Sequence, residues 1–149
     1  MAFSAQTNVT SNSSTNASVD IQVSPASSII TATNLIPGGA ATTGLTNVSN
    51  TGTVDEFYSI SADWSADSFS DKMTAILANT LNISVSTGGT NLYDGTLAGL
   101  IDQPASPGRA LTQATGNEDV EFSVSLPSTA GDIVNALDIN VDFIFVATN

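Results

Sequence analysis

The sequence predicts an all-β protein: an antiparallel β-sandwich with one short helix and an N-terminal strand set apart from the rest. Three observations predict it. Apolar and polar residues alternate over many short runs, the pattern of strands with one buried and one wet face. Gly, Pro and Asn turn signals separate those runs. Only 11% of the 149 residues are charged, and the polar remainder is mostly Ser, Thr, Asn and Gly, residues of strands and turns rather than of exposed helix faces. About eight strands at turn-punctuated spacing describe a sandwich, with a closed barrel as the alternative. The crossover helices of a parallel α/β fold are missing.

In order along the chain, Phe3, Ala5, Thr7 and Val9 alternate with Ser4, Gln6 and Asn8 and read as a strand with one greasy face. Thr10 to Ser18 is rich in Ser, Thr and Asn without period and reads as a linker. Val19, Ile21 and Val23 form the next strand, stopped by Pro25, and Ile29 to Leu35 another, closed by Ile36-Pro37-Gly38-Gly39. Leu45 to Val48 precedes the turn Asn50–Thr53, and Val54 to Trp64 is apolar on both faces around Phe57, Tyr58 and Ile60, as a central strand is.

Residues 68–79 predict the helix, with Ser70 as N-cap, Asp71 at its positive end, and Met73, Ile76 and Leu77 on its buried face. Leu81, Ile83 and Val85 face inward before the turn Gly88-Gly89, and Leu92 to Gly95 follow. A Pro/Gly loop spans residues 102–108. Val120, Phe122, Val124 and Leu126 alternate up to Pro127, and Leu137, Ile139, Val141, Phe143 and Phe145 make the cleanest strand of the chain.

Composition narrows function. The net charge is −12 and the basic residues are two, Lys72 and Arg109. Phosphate neutralisation needs clustered Lys and Arg, so neither nucleic acid nor an anionic membrane surface is expected as a partner. Histidine and cysteine are absent, which removes the ligands of zinc, haem and iron–sulfur sites and the base of a Ser-His-Asp triad. No enzyme activity and no cofactor are expected. Asp63, Asp67 and Asp71, and an Asn117-Glu118-Asp119 turn, are oxygen-rich, but neither has the spacing of an EF-hand loop. Asn8, Asn12, Asn16, Asn47 and Asn82 open Asn-x-Ser/Thr sequons, which a chain this rich in Ser and Thr produces by chance. No apolar run reaches membrane-span length. No charged and apolar leader precedes the domain, so a secretion signal is expected to have been removed.

Several motifs together carry a family resemblance. Ala2-Phe3-Ser4, Ser18-Val19-Asp20-Ile21, Leu35-Ile36-Pro37-Gly38, Asn47 to Thr53, Leu92 to Leu97, and Asn135 to Ala147 occur in the same order as in the TasA/camelysin family, which the chain resembles over nearly its whole length. The resemblance implies a jelly-roll sandwich, secretion, and assembly into biofilm-matrix fibres or bundling pili in which one subunit's N-terminal strand completes the sheet of its neighbour. It departs from many relatives in its scarcity of Lys and Arg and in Gly39, where an acidic residue often follows Pro-Gly.

The division expected is an N-terminal arm over residues 1–16, donor strand and linker, and a sandwich over residues 17–149. The residue pattern alone leaves two places open for the strand, its own sheet or a neighbour's. The resemblance implies the neighbour's, with Phe3, Ala5, Thr7 and Val9 as the polymerisation residues and Phe3 and Val9 as anchors. On that reading Phe3→Asp weakens assembly and leaves the domain folded. The expected partner is a second copy of the chain, joined head-to-tail, outside the cell at its surface or in a biofilm matrix. The alternative is a monomeric surface-binding module or adhesin using Trp64 or Tyr93.

Overall fold

The computed structural model describes residues 3–10, 18–25, 28–32, 35–65, 70–113, 116–131 and 139–149. The linker core, residues 11–17, and the starting residues of the last predicted strand, Leu137 and Asp138, lie outside them.

Ten strands run β1 Phe3–Thr10, β2 Ile21–Ser24, β3 Ser28–Ala32, β4 Thr42–Asn50, β5 Glu56–Ser65, β6 Asn82–Thr87, β7 Thr90–Thr96, β8 Arg109–Leu111, β9 Asn117–Ser125 and β10 Ile139–Thr148, with one helix, α1 Asp71–Thr80. They form two five-stranded sheets, β3-β1-β10-β5-β8 and β2-β4-β9-β6-β7, packed face to face. From β3 onward the strands take jelly-roll order, crossing between the sheets at every step except the β6–β7 hairpin: β3-β10-β5-β8 opposes β4-β9-β6-β7, with β2 added at one edge and β1 wedged between β3 and β10.

The period-2 pattern explains the core. Ile139, Val141, Phe143, Phe145 and Ala147 of β10 all turn inward, as do Val120, Phe122 and Val124 of β9. Phe122 stacks on Phe143 with ring centroids 4.1 Å apart and meets Phe145 edge-on at 6.2 Å. Each pair ties one sheet to the other, and such ring contacts add about 0.5–1.5 kcal/mol beyond their buried area. The β6–β7 hairpin closes through Gly88 and Gly89 at φ +54° and +82°. A two-residue turn with both φ positive matches the twist of its strands, and glycine adopts it without strain.

One end of the sandwich is pinned by a polar group. Tyr58 of β5 donates its hydroxyl to Glu118 Oε1 of β9 at 2.6 Å. Arg109 of β8 donates from Nε and Nη2 to the two oxygens of the same carboxylate, at 3.1 and 3.0 Å. The only arginine of the chain is thus spent bridging the sheets. Burial would push the Glu118 carboxyl up, but the hydrogen bonds from Arg109 and Tyr58 and the guanidinium charge outweigh it and hold it below the usual range. Tyr58 moves the other way, raised first by burial and then by its bond to Glu118.

Several local expectations change. In α1, Ser70 caps the first turn through Met73 N–H as expected, but the buried face is Thr74, Leu77 and Ala78, with Ile76 48% exposed. Thr74 is tolerated inside because its hydroxyl donates to Ser70 O at 3.1 Å. Asn117–Asp119 is no turn but the start of β9, held to β4 by the Asn47 side-chain amide, which donates to Asn117 Oδ1 and Asp119 Oδ1. β4 begins earlier than Leu45, at Thr42, because Thr42, Thr43 and Gly44 pair with Val124, Ser123 and Phe122. β8 pairs with β5 over three residues, too few for alternation to register.

Candidate polymerisation site

β1 interrupts the jelly-roll order of its sheet. Its alternation is realised: Phe3 and Ala5 are each 1% exposed and Thr7 is buried, while Gln6 and Asn8 face solvent. The Thr7 hydroxyl, the one polar group on the inner face, donates to Pro25 O at 2.6 Å, so its burial leaves no unmet donor. Val9 is half-buried against the core.

The pairing is unequal on the two sides. Along β10 the ladder is parallel and unbroken from Phe3↔Ile139 to Thr10↔Val146, and it is the only parallel ladder among the described strands. Along β3 it is antiparallel and short, from Phe3↔Ala32 to Gln6↔Ser28, with a register shift after Ala5. From Thr7 onward β1 has no β3 partner, and a groove of about 340 Å³ opens there, lined by Thr7, Asn8, Val9, Ile21, Gln22 and Val23. Phe3 is therefore a full anchor, and Val9 a partial one at the rim of a groove.

The strands flanking β1 define what it fills. With strands about 4.8 Å apart, β3 and β10 stand roughly 9–10 Å from each other across β1, one strand's width. β1 covers one backbone edge of β10, and its register partners Ile30, Val141 and Phe143 are all buried in the complete sheet. No local signal in the sequence marks Ile30, Val141 and Phe143 as partners of β1, because that depends on which strands become neighbours.

The other singled-out residues do not converge. Asp63 lies on β5 and Asp71 at the start of α1, Asp67 is outside the described residues, and among the described residues no three acidic side chains gather as a metal site. Trp64 and Tyr93 pack against the core, and the Tyr93 hydroxyl is spent on Thr96 O at 2.6 Å. Lys72 is exposed on α1. Of the sequons, Asn8 and Asn82 are exposed, Asn47 is engaged by β9, and Asn12 and Asn16 are outside the described residues. No helix among the described residues is long and apolar enough to cross a membrane. No protein-family model matches the chain, and no curated protein matches it significantly.

Proposed function

We propose that the protein is a secreted structural subunit that polymerises outside the cell, each copy lending β1 to the gap between β3 and β10 of the next. The observation that carries the reading is the place of β1 in the sheet. It is inserted between β3 and β10, which the jelly-roll order makes neighbours, it precedes a Ser/Thr/Asn-rich stretch at residues 11–17, and it fills a slot one strand wide. The resemblance to TasA/camelysin fibre and pilus subunits points the same way.

The arrangement in one chain is then the closed state of the free subunit. A neighbour's β1 makes the same contacts, so exchange is nearly neutral in intrinsic energy, as domain swapping generally is. A tethered strand competes at an effective concentration in the millimolar range. At micromolar subunit concentration, open exchange must therefore be favoured by about 4 kcal/mol from elsewhere, such as relief of the linker or new contacts between subunits. Because donor strand and acceptor slot are different surfaces, the joint is head-to-tail and propagates.

Deletion of residues 2–10 tests the reading. Negative-stain images of the intact chain are expected to show fibres and those of the deletion variant none. Fibres that persist unchanged without the arm would refute strand donation.

A further inference from the structure

Where the arm joins the sandwich, the backbone is held by a short set of contacts. Thr53 N–H donates to Ser18 O and Thr51 N–H to Asp20 O, both at 2.9 Å, and Ser18 N–H donates to Thr53 Oγ1 at 2.9 Å. Gly52 lets the two segments meet: a Cβ there would lie 2.2 Å from Ser18 O. Val19, between these bonds, is buried in the core.

Beside this junction is Glu56, the first residue of β5. It is 1% exposed, and neither carboxylate oxygen has a hydrogen-bond partner among the described residues. The charged groups around it offer no compensating cation. The nearest charged group is another acid, Asp20 on the arm's root: its backbone favours the ionised form of Glu56 more than its carboxylate disfavours it, and burial outweighs both. On β8, Leu111 faces Glu56 and the next inward residue, Arg109, is committed to Glu118 of β9. On β10, Ala147 and Thr148 at this end are uncharged. On its own strand, Asp55 is exposed and accepts Gln113 N–H. Burial, the largest influence, carries the Glu56 carboxyl up to about 7.

We propose that Glu56 is a proton-operated latch on the root of the N-terminal arm: protonated, it stays buried and keeps Ser18–Asp20 against the 51–53 turn, and ionised, it draws in water and loosens that junction. As a control on strand release the latch rests on the strand-donor reading, but its operation in the free subunit does not.

The sign follows from linkage. The folded state holds the proton more tightly than an ordinary glutamate, so the stabilisation is fully present below about pH 4.5 and is lost as pH rises through about 7. The test is hydrogen exchange, read by NMR on the full-length chain at concentrations where it stays monomeric, with rates corrected for intrinsic exchange. Between pH 5.5 and 8.5, protection of the Thr51 and Thr53 amides is expected to fall about tenfold or more. Protection of Gly38, which donates to Leu126 O elsewhere in the fold, is expected to hold. Glu56→Gln, and Glu56→Met as an apolar variant of similar length, are expected to abolish the fall. An equal fall in both variants, an equal fall at Gly38, or no fall in the unmodified chain would overturn the latch. None of these results depends on fibres, and the arm-deletion images do not depend on Glu56, so the two proposals fail separately.

Discussion

Phe3→Asp is expected to destabilise the free subunit by at least about 4 kcal/mol and to stop polymerisation together with it. Truncating a buried phenylalanine costs about 3–5 kcal/mol, and a carboxylate at a site 1% exposed adds a desolvation penalty. Phe3 sits between Ile139 of β10 and Ala32 of β3, so the loss falls on the slot as well as on the strand. Sequence reasoning that placed the strand in a neighbour alone expected the domain to stay folded. With β1 in its own sheet, the same substitution also weakens the closed state. Urea unfolding monitored by Trp64 fluorescence checks the magnitude. Asn8→Ser, on the exposed face of the same strand, is expected to stay within about 0.5 kcal/mol of the unmodified chain.

The second large effect belongs to the inter-sheet clamp. Glu118→Ala leaves the Arg109 guanidinium and the Tyr58 hydroxyl without their acceptor. Breaking a buried pair from one side costs about 3–5 kcal/mol. The Arg109 side chain is 32% exposed and Glu118 18%, so solvent recovers part of that and about 2–3 kcal/mol is expected. In a chain of this size that is a fall of roughly 4–12 °C in Tm. Glu118→Gln should lie between, since it keeps an acceptor for Tyr58 but loses the charge. The Glu118 carboxyl is held below its ordinary value, so its contribution is present above the unfolded pKa and lost as pH falls through the folded one. Glu56 has the opposite slope, losing stability between about pH 4.5 and 7. Thermal melts are therefore expected to peak in mildly acidic buffer. Glu118→Ala should flatten the acid side of the peak.

Much of this architecture is legible in the sequence because its determinants are local. Period-2 alternation is written into Val120–Leu126 and Ile139–Phe145, and the strands appear there with the predicted faces buried. The Ser70 cap and the Gly88-Gly89 turn are similarly local, each set by the chemistry of one or two residues. The polar strand ends are not, because Thr42–Gly44 and Asn117–Asp119 become strand only through pairing across a long sequence separation. The Glu118 carboxylate, read in the sequence as part of an oxygen-rich turn, becomes a clamp between the sheets once β5, β8 and β9 meet. Likewise nothing in Val54-Asp55-Glu56 says that the second acid will be buried and the first exposed; the register with Leu111 decides it. For the candidate polymerisation site, the four residues of β1 are readable as a greasy face, whereas the slot between β3 and β10 is a property of the topology.

The central claim, that β1 is exchanged between copies, can be tested by fixing it covalently. Gln6 and Asp142 are register partners across the parallel β1–β10 ladder, on the outer face and within disulfide range for adjacent strands. The chain has no cysteine of its own, so a Gln6→Cys/Asp142→Cys variant reports only that contact. Oxidised as free subunits, it is expected to run as a monomer on a non-reducing gel and to be unable to form fibres. Assembled under reducing conditions and oxidised afterwards, its fibres are expected to give a ladder of covalent multimers, each strand cross-linked to the next subunit's β10. Fibres that yield only internally cross-linked monomers would contradict the account, because every subunit would have kept its own strand.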